Sequence, residues 1–373
     1  MRKITLIIIA FLFTALLVDC KKKKTSEEDE PEVSFDKSGM LANYSDNVIA
    51  PNFQLAKQAL DSFALAYNDF IQVKTVTNLQ VARQKFNKAY NQYQLISLFE
   101  FGPSENEIIR ASFDTYPTDS VQILSNISAG SYNLGLAANI DAKGLPALDY
   151  LLYGKNSSDA SIVALFDTDG NAANRIAYFN ACLNEMQVKM NAVINSWNSG
   201  YRNSFNSNTG SEIGSSLGLL VNQLNYEVDL MKNAKIGIPL GKKSLDVQLP
   251  EKCEAYYANT ISVGLAKTCL ATIENVYLGR SIGGSDGLGL DDYLDALGAQ
   301  HNTGTLNNAI KNQFAIAKTK LALVNEPLSD AVINDAATVD AAYVEMVKLL
   351  VLLKTDMPSA LGIVITYQDG DGD

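Results

Sequence analysis

Residues 53–70 read FQLAKQALDSFALAYNDF. Phe53, Ala56, Leu60, Phe63, Tyr67 and Phe70 step by three and four, which gathers them on one face of a 3.6-residue helix. The pattern recurs outward from there. Ala82, Phe86, Ala89, Tyr93 and Ile96 form a second stripe, and Leu217, Leu220, Leu224, Val228 and Met231 a third. Tyr343, Met346, Leu350 and Leu353 form a fourth near the end. Aromatic residues within such stripes are packing residues before they are cofactor contacts. Two-residue alternation is nearly absent, with 363–367 as one short strand candidate. The fold class expected is all-α.

Breakers separate the stripes. Phe101-Gly102-Pro103 and Tyr116-Pro117 interrupt the first half, and the Asn-, Ser- and Gly-rich run 198–210 divides the halves as the expected linker. Each half carries a related segment, GLPALDYLLYG from Gly144 and GLGLDDYLDALG from Gly287. Aligning the glycines pairs Asp149 with Asp292 and Tyr150 with Tyr293, which argues for duplication of one helical-bundle unit. The expected domains are 45–200 and 210–367.

The chain of 373 residues is 47% hydrophobic and 19% charged, a globular composition. Its net charge of −11 argues against nucleic acid as a partner, because phosphate recognition needs a basic face. There is one histidine, His301, so a His₂ or His₃ metal centre within one chain is excluded. His301 sits in Gln-His-Asn-Thr-Gly, 300–304, and reads as an exposed loop residue.

Arg2 and Lys3 precede an apolar stretch from Ile4 to Val18, too short for a comfortable transmembrane helix and suited to a signal peptide. It ends at Leu-Val-Asp-Cys20, which resembles a lipobox with Asp19 in the place of the usual small residue. Residues 1–19 are thus the expected signal peptide, with Cys20 lipidated and anchoring the protein to the outer membrane. KKKKTSEEDEPE follows at 21–32, and such dense charge resists packing. Residues 20–44 are the expected tether, similar to the charged runs of surface lipoproteins in Bacteroides-type bacteria. Cys182, Cys253 and Cys269 remain, at most one disulfide among them, with no CxxC pair for a zinc ribbon.

Several short motifs fail on context. Gly283 to Gly287 matches G-x-S-x-G, but a helix and not a strand precedes it. Gly237 to Ser244 is one residue too tight for a phosphate loop. Asp167 to Asn171 begins like a calcium loop but has Tyr178 where the closing Glu belongs, and the acidic 369–373 run ends before a loop closes.

An ordered series does carry a resemblance. Phe99-Glu-Phe-Gly-Pro103, Tyr116-Pro-Thr-Asp119, Gly144 to Gly154 and Gly237-Ile-Pro-Leu-Gly241 resemble the imelysin-like proteins over residues 45–367. These are relatives of a bacterial insulin-cleaving metalloprotease. The resemblance implies two similar four-helix bundles, a site between them and a role in iron acquisition. The family signature is G-x-H-x-x-E, whose His and Glu share a helix face and can hold one metal ion. Here it reads Gly144-Leu-Pro146-Ala-Leu-Asp149. Proline offers a metal no lone pair, so the catalytic metal is expected to be lost. Gly144, Pro146, Asp149 and Asp292 are the expected ligand-binding residues, the two aspartates facing one cleft.

The expected protein is a monomeric, non-catalytic envelope lipoprotein that binds iron, another divalent metal or a nutrient for an uptake partner. Two alternatives stand beside it: a metallopeptidase with a carboxylate-only metal site, and a glycan-binding surface lipoprotein.

Overall fold

Helical stripes associate because burying apolar surface gains about 25 cal/mol per Å². The computed structural model describes residues 34–367 and is all-α. The Ala50–Gln72 helix turns back into Val76–Tyr93, which Thr75 caps by accepting from the Asn78 N–H at 3.2 Å. The long Ala172–Ser196 helix lies along the first of these. There Tyr67 stacks on Phe179 with ring centroids 3.7 Å apart, and Phe63 meets Phe86 edge-on at 5.4 Å. Gly144–Tyr153 packs on Ala172–Ser196 and on Val76–Tyr93.

The second half is built from Ser216–Leu230, Ser262–Tyr277, Leu306–Ala322 and Ala336–Val351. The first of these packs on the second and the fourth, and the third packs on the same two. Val76–Tyr93 crosses to Ser262–Tyr277 and joins the halves. The described residues from Phe35 onward form one compact unit with a continuous apolar core. Among the described residues, strand pairing is limited to Gln300–His301 against Gly304–Thr305, and no helix is long and apolar enough to cross a membrane.

Four expectations change. The ordered body starts before residue 45: Lys37–Asn43 is helical, and Met40, Leu41 and Tyr44 are buried. Tyr44 donates its hydroxyl to the Val276 carbonyl at 2.7 Å and accepts from the Leu290 N–H, while Phe35 stacks on Tyr293. The start of the body is therefore held by the second half of the chain. The 198–210 run is not a free linker either. Arg202–Ser207 is helical, and buried Phe205 stacks on Phe101 and meets Trp197 edge-on. The 363–367 stretch pairs with no strand; Asn222 satisfies its backbone by accepting from Thr366 N–H and donating to the Val364 carbonyl. His301 is on the small hairpin, half-buried, with Nδ1 3.1 Å from Asp356. The signal peptide, Cys20 and the charged run at 21–32 lie outside the described residues.

Candidate functional site

The motif segment folds as its sequence dictates. Lys143 is the extended N-cap of Gly144–Tyr153, and Pro146 falls in the first turn, where a missing N–H costs nothing. Gly144 has φ +73°, and a Cβ there would stand 2.5 Å from the Phe113 carbonyl oxygen. Its role is close approach of two backbones.

Asp149 is 1% exposed. Its two carboxylate oxygens accept the backbone N–H groups of Tyr257 and Ala258, each at 2.8 Å. A side chain of the first half thus pins the segment leading into Ser262–Tyr277. Burial pushes its carboxyl up to about 7, against the opposing pull of those two hydrogen bonds. Pro146, Asp149, Tyr116, Thr118 and Tyr257 share a cavity of about 300 Å³.

Asp292 does not join them. It is the third residue of Leu290–Ala296 and accepts from the Gly289 N–H at 2.9 Å, satisfying the N-cap backbone donor. It is not among the walls of the Asp149 cavity. The two helix starts can also be matched by their backbone. Lys143 and Gly289 share one N-cap conformation, φ −134° ψ −176° and φ −129° ψ −177°. Matching the caps sets Asp149 against Asp295, the sixth residue of each helix, and Asp292 against Pro146. Asp295 accepts from the Asn307 side chain at 2.6 Å.

The larger polar assembly was not legible as a motif. It lies between the halves, beside Tyr116. Glu227 accepts from the Ser97 hydroxyl at 2.6 Å and pairs with Arg110 at 3.3 Å. Arg110 donates to the Ser97 carbonyl, and its own backbone N–H donates to Glu100. Lys235 pairs with Glu254 at 2.6 Å, both almost fully buried. Glu254 also accepts from Gln94, and Tyr90 donates to Asp114 at 2.6 Å. Burial raises Glu100 to about 7 and lifts Asp114 well above the carboxylate range. The widened helical turn Met231–Gly237 carries Lys235 inward.

These shifts set a pH dependence. Asp149 and Glu100 titrate near 7 in the fold against ordinary values of 3.8 and 4.5. Between those limits the folded chain holds protons that the unfolded chain releases, so stability falls as pH rises. Asp159 and Glu345, lowered by hydrogen bonds from Arg83 and Lys348, act oppositely, but only near and below their ordinary values. Thermal melts should give a higher Tm at pH 5.5 than at pH 8. Asp149→Asn should flatten that slope and, by setting an amide NH₂ against a backbone N–H, cost about 1–3 kcal/mol. A melt indifferent to pH in the native chain would contradict this.

The family described as Imelysin matches residues 49–353. The chain is 24% identical over 293 residues to iron-regulated protein A of Synechococcus elongatus, covering 77% of this chain and 76% of that protein. Its fold is similar to a crystal structure described as a putative iron-regulated protein A precursor from Parabacteroides distasonis. That match has a TM-score of 0.72 at 15% identity, covering 87% of this chain and 94% of that one. An imelysin-like protein from Psychrobacter arcticum gives 0.67 at 19% identity, over 89% and 97% of the two chains. With the family matched across most of its length, this chain belongs to the imelysin family.

Proposed function

We propose that this protein is a binding member of the family and not a peptidase, anchored in the cell envelope through Cys20 and linked to iron uptake. The iron link rests on family membership and on relatives named as iron-regulated. The binding reading rests on one observation. Pro146 stands where the family motif has its histidine, and both oxygens of Asp149 are already occupied by backbone N–H groups. A carboxylate used in this way is a structural clamp between the halves, each oxygen committed to a backbone N–H. Among the described residues, no three His, Cys, Asp or Glu side chains group closely enough to hold a metal ion.

The test is protein isolated from its own host. Its mass should carry acyl groups on Cys20, native spectra should retain a small ligand, and unfolded polypeptides with added zinc should stay intact. Chelator-sensitive cleavage lost in Asp149→Ala would overturn the binding reading, and an unmodified Cys20 would overturn the anchor.

A further inference from the structure

The polar assembly between the halves borders a cavity of about 420 Å³. Its walls carry hydrocarbon, rings and charge of both signs. Ile108, Ala111, Leu230 and Ala234 contribute hydrocarbon, and Tyr93 and Tyr116 contribute rings. Glu100, Asp114 and Glu227 contribute carboxyls, and Arg110 and Lys235 contribute the two cations.

The charges do not balance. Four carboxyls, counting Glu254 behind Asp114, meet two cations. Arg110 is paired with Glu227 and Lys235 with Glu254. The cation that faces Glu100 is the same Arg110, and the cation that faces Asp114 is the same Lys235. Fully ionised, the assembly would be short of two positive charges. Burial of uncompensated carboxylate is costly enough that protons fill the deficit. A second observation is independent of charge. Tyr93 is 2% exposed, lines the cavity, and its hydroxyl has no hydrogen-bond partner.

We propose that this cavity binds an organic cation, a protonated amine on an apolar body, with its ammonium on the Glu100 and Asp114 carboxyls. Such a ligand supplies the missing positive charge, and its body replaces water against Ile108, Leu230 and the Tyr116 ring. Ring faces favour cations over anions. A bare metal ion fits less well, since the described carboxyls form no metal-binding group. The inference rests on the reading of a binding protein, and the two fail separately: polypeptide cleavage is scored without any amine present.

The experiment uses the full-length protein and three probes of one shape: benzylammonium, benzyl alcohol and benzoate. Ligand-observed NMR and calorimetry at pH 7.5 should show benzylammonium binding and the other two not. Affinity should rise between pH 6 and 8, because Glu100 must release its proton. Arg110, Glu227, Glu105 and Tyr93 face Glu100, while Glu254, Lys235 and Tyr90 face Asp114. Glu100→Gln and Asp114→Asn should each weaken benzylammonium about tenfold, the loss of one charged partner. Ile108→Trp, at an exposed position on the rim, should block entry without disturbing the fold. Equal binding of benzyl alcohol, tighter binding of benzoate, or amine binding unmoved by both Glu100→Gln and Ile108→Trp would overturn the proposal.

Discussion

Lys235→Met is expected to cost about 3–5 kcal/mol in a urea unfolding titration, because it leaves a buried carboxylate without its counter-charge. Lys235 Nζ lies 2.6 Å from Glu254, and the two side chains are 6% and 2% exposed. Methionine keeps most of the length and removes the ammonium. Glu254 would then retain only the amide of Gln94 and the neighbouring Asp114. Two further measurements separate a lost charge from a lost shape. Lowering the pH should restore part of the loss, since a protonated Glu254 needs no cation. Lys235→Met with Glu254→Gln should recover most of it, because removing both charges removes the unpaired one. A single variant within about 1 kcal/mol of the native chain would show that water reaches this pair. A double variant as unstable as the single would show that the cost lies in packing.

The Lys235–Glu254 pair is only half written in the local sequence. The stripe Leu217, Leu220, Leu224, Val228, Met231 continues in phase to Lys235, and Glu227 falls on the same face, three after Leu224. Charged residues on an apolar stripe were thus a visible signal of buried ion pairs. Their partners were not visible. Arg110 and Glu254 come from distant segments that only tertiary packing brings together, and no short spacing encodes them. Helix type, by contrast, is written locally as a 3.6-residue period, so the all-α class and most core faces were legible.

The same division between local pattern and distant packing holds at three other places in the chain. Met40, Leu41, Tyr44 and Val48 carry a helical pattern, yet a short helix beside a charged run is marginal by itself. It is held by Tyr44 and Asn43 bonding to backbone more than two hundred residues away. Phe205 is an aromatic in a largely polar run, and its burial depends on Phe101 and Trp197. Aligning Gly144 with Gly287 assumed that glycines mark equal positions. One is inside a helix, and the other precedes the cap of its helix by two residues.

That difference makes the two glycines separable by experiment, and Gly144→Ala is expected to be much the more damaging. At φ +73° an alanine is already strained by about 1–2 kcal/mol. Its Cβ would also lie 2.5 Å from the Phe113 carbonyl oxygen and 2.8 Å from that of Ser112. Both are backbone atoms, so relief requires moving the Gly144–Tyr153 helix away from Ile109–Phe113. The expected loss is about 2–4 kcal/mol in total. Asp149 rides on the displaced helix, so its bonds to Tyr257 and Ala258 should loosen as well. Gly144→Ala and Asp149→Asn should then be less than additive in unfolding free energy. Gly287 has no positive φ, and its added Cβ meets the side chain of Asn43, which can turn aside. Turning aside gives up the Asn43 hydrogen bonds to the Gly279 and Leu288 carbonyls, about 1 kcal/mol. Equal losses in Gly144→Ala and Gly287→Ala would mean that the two glycines do play one repeated role, and the cap-matched register proposed for the repeats would be wrong.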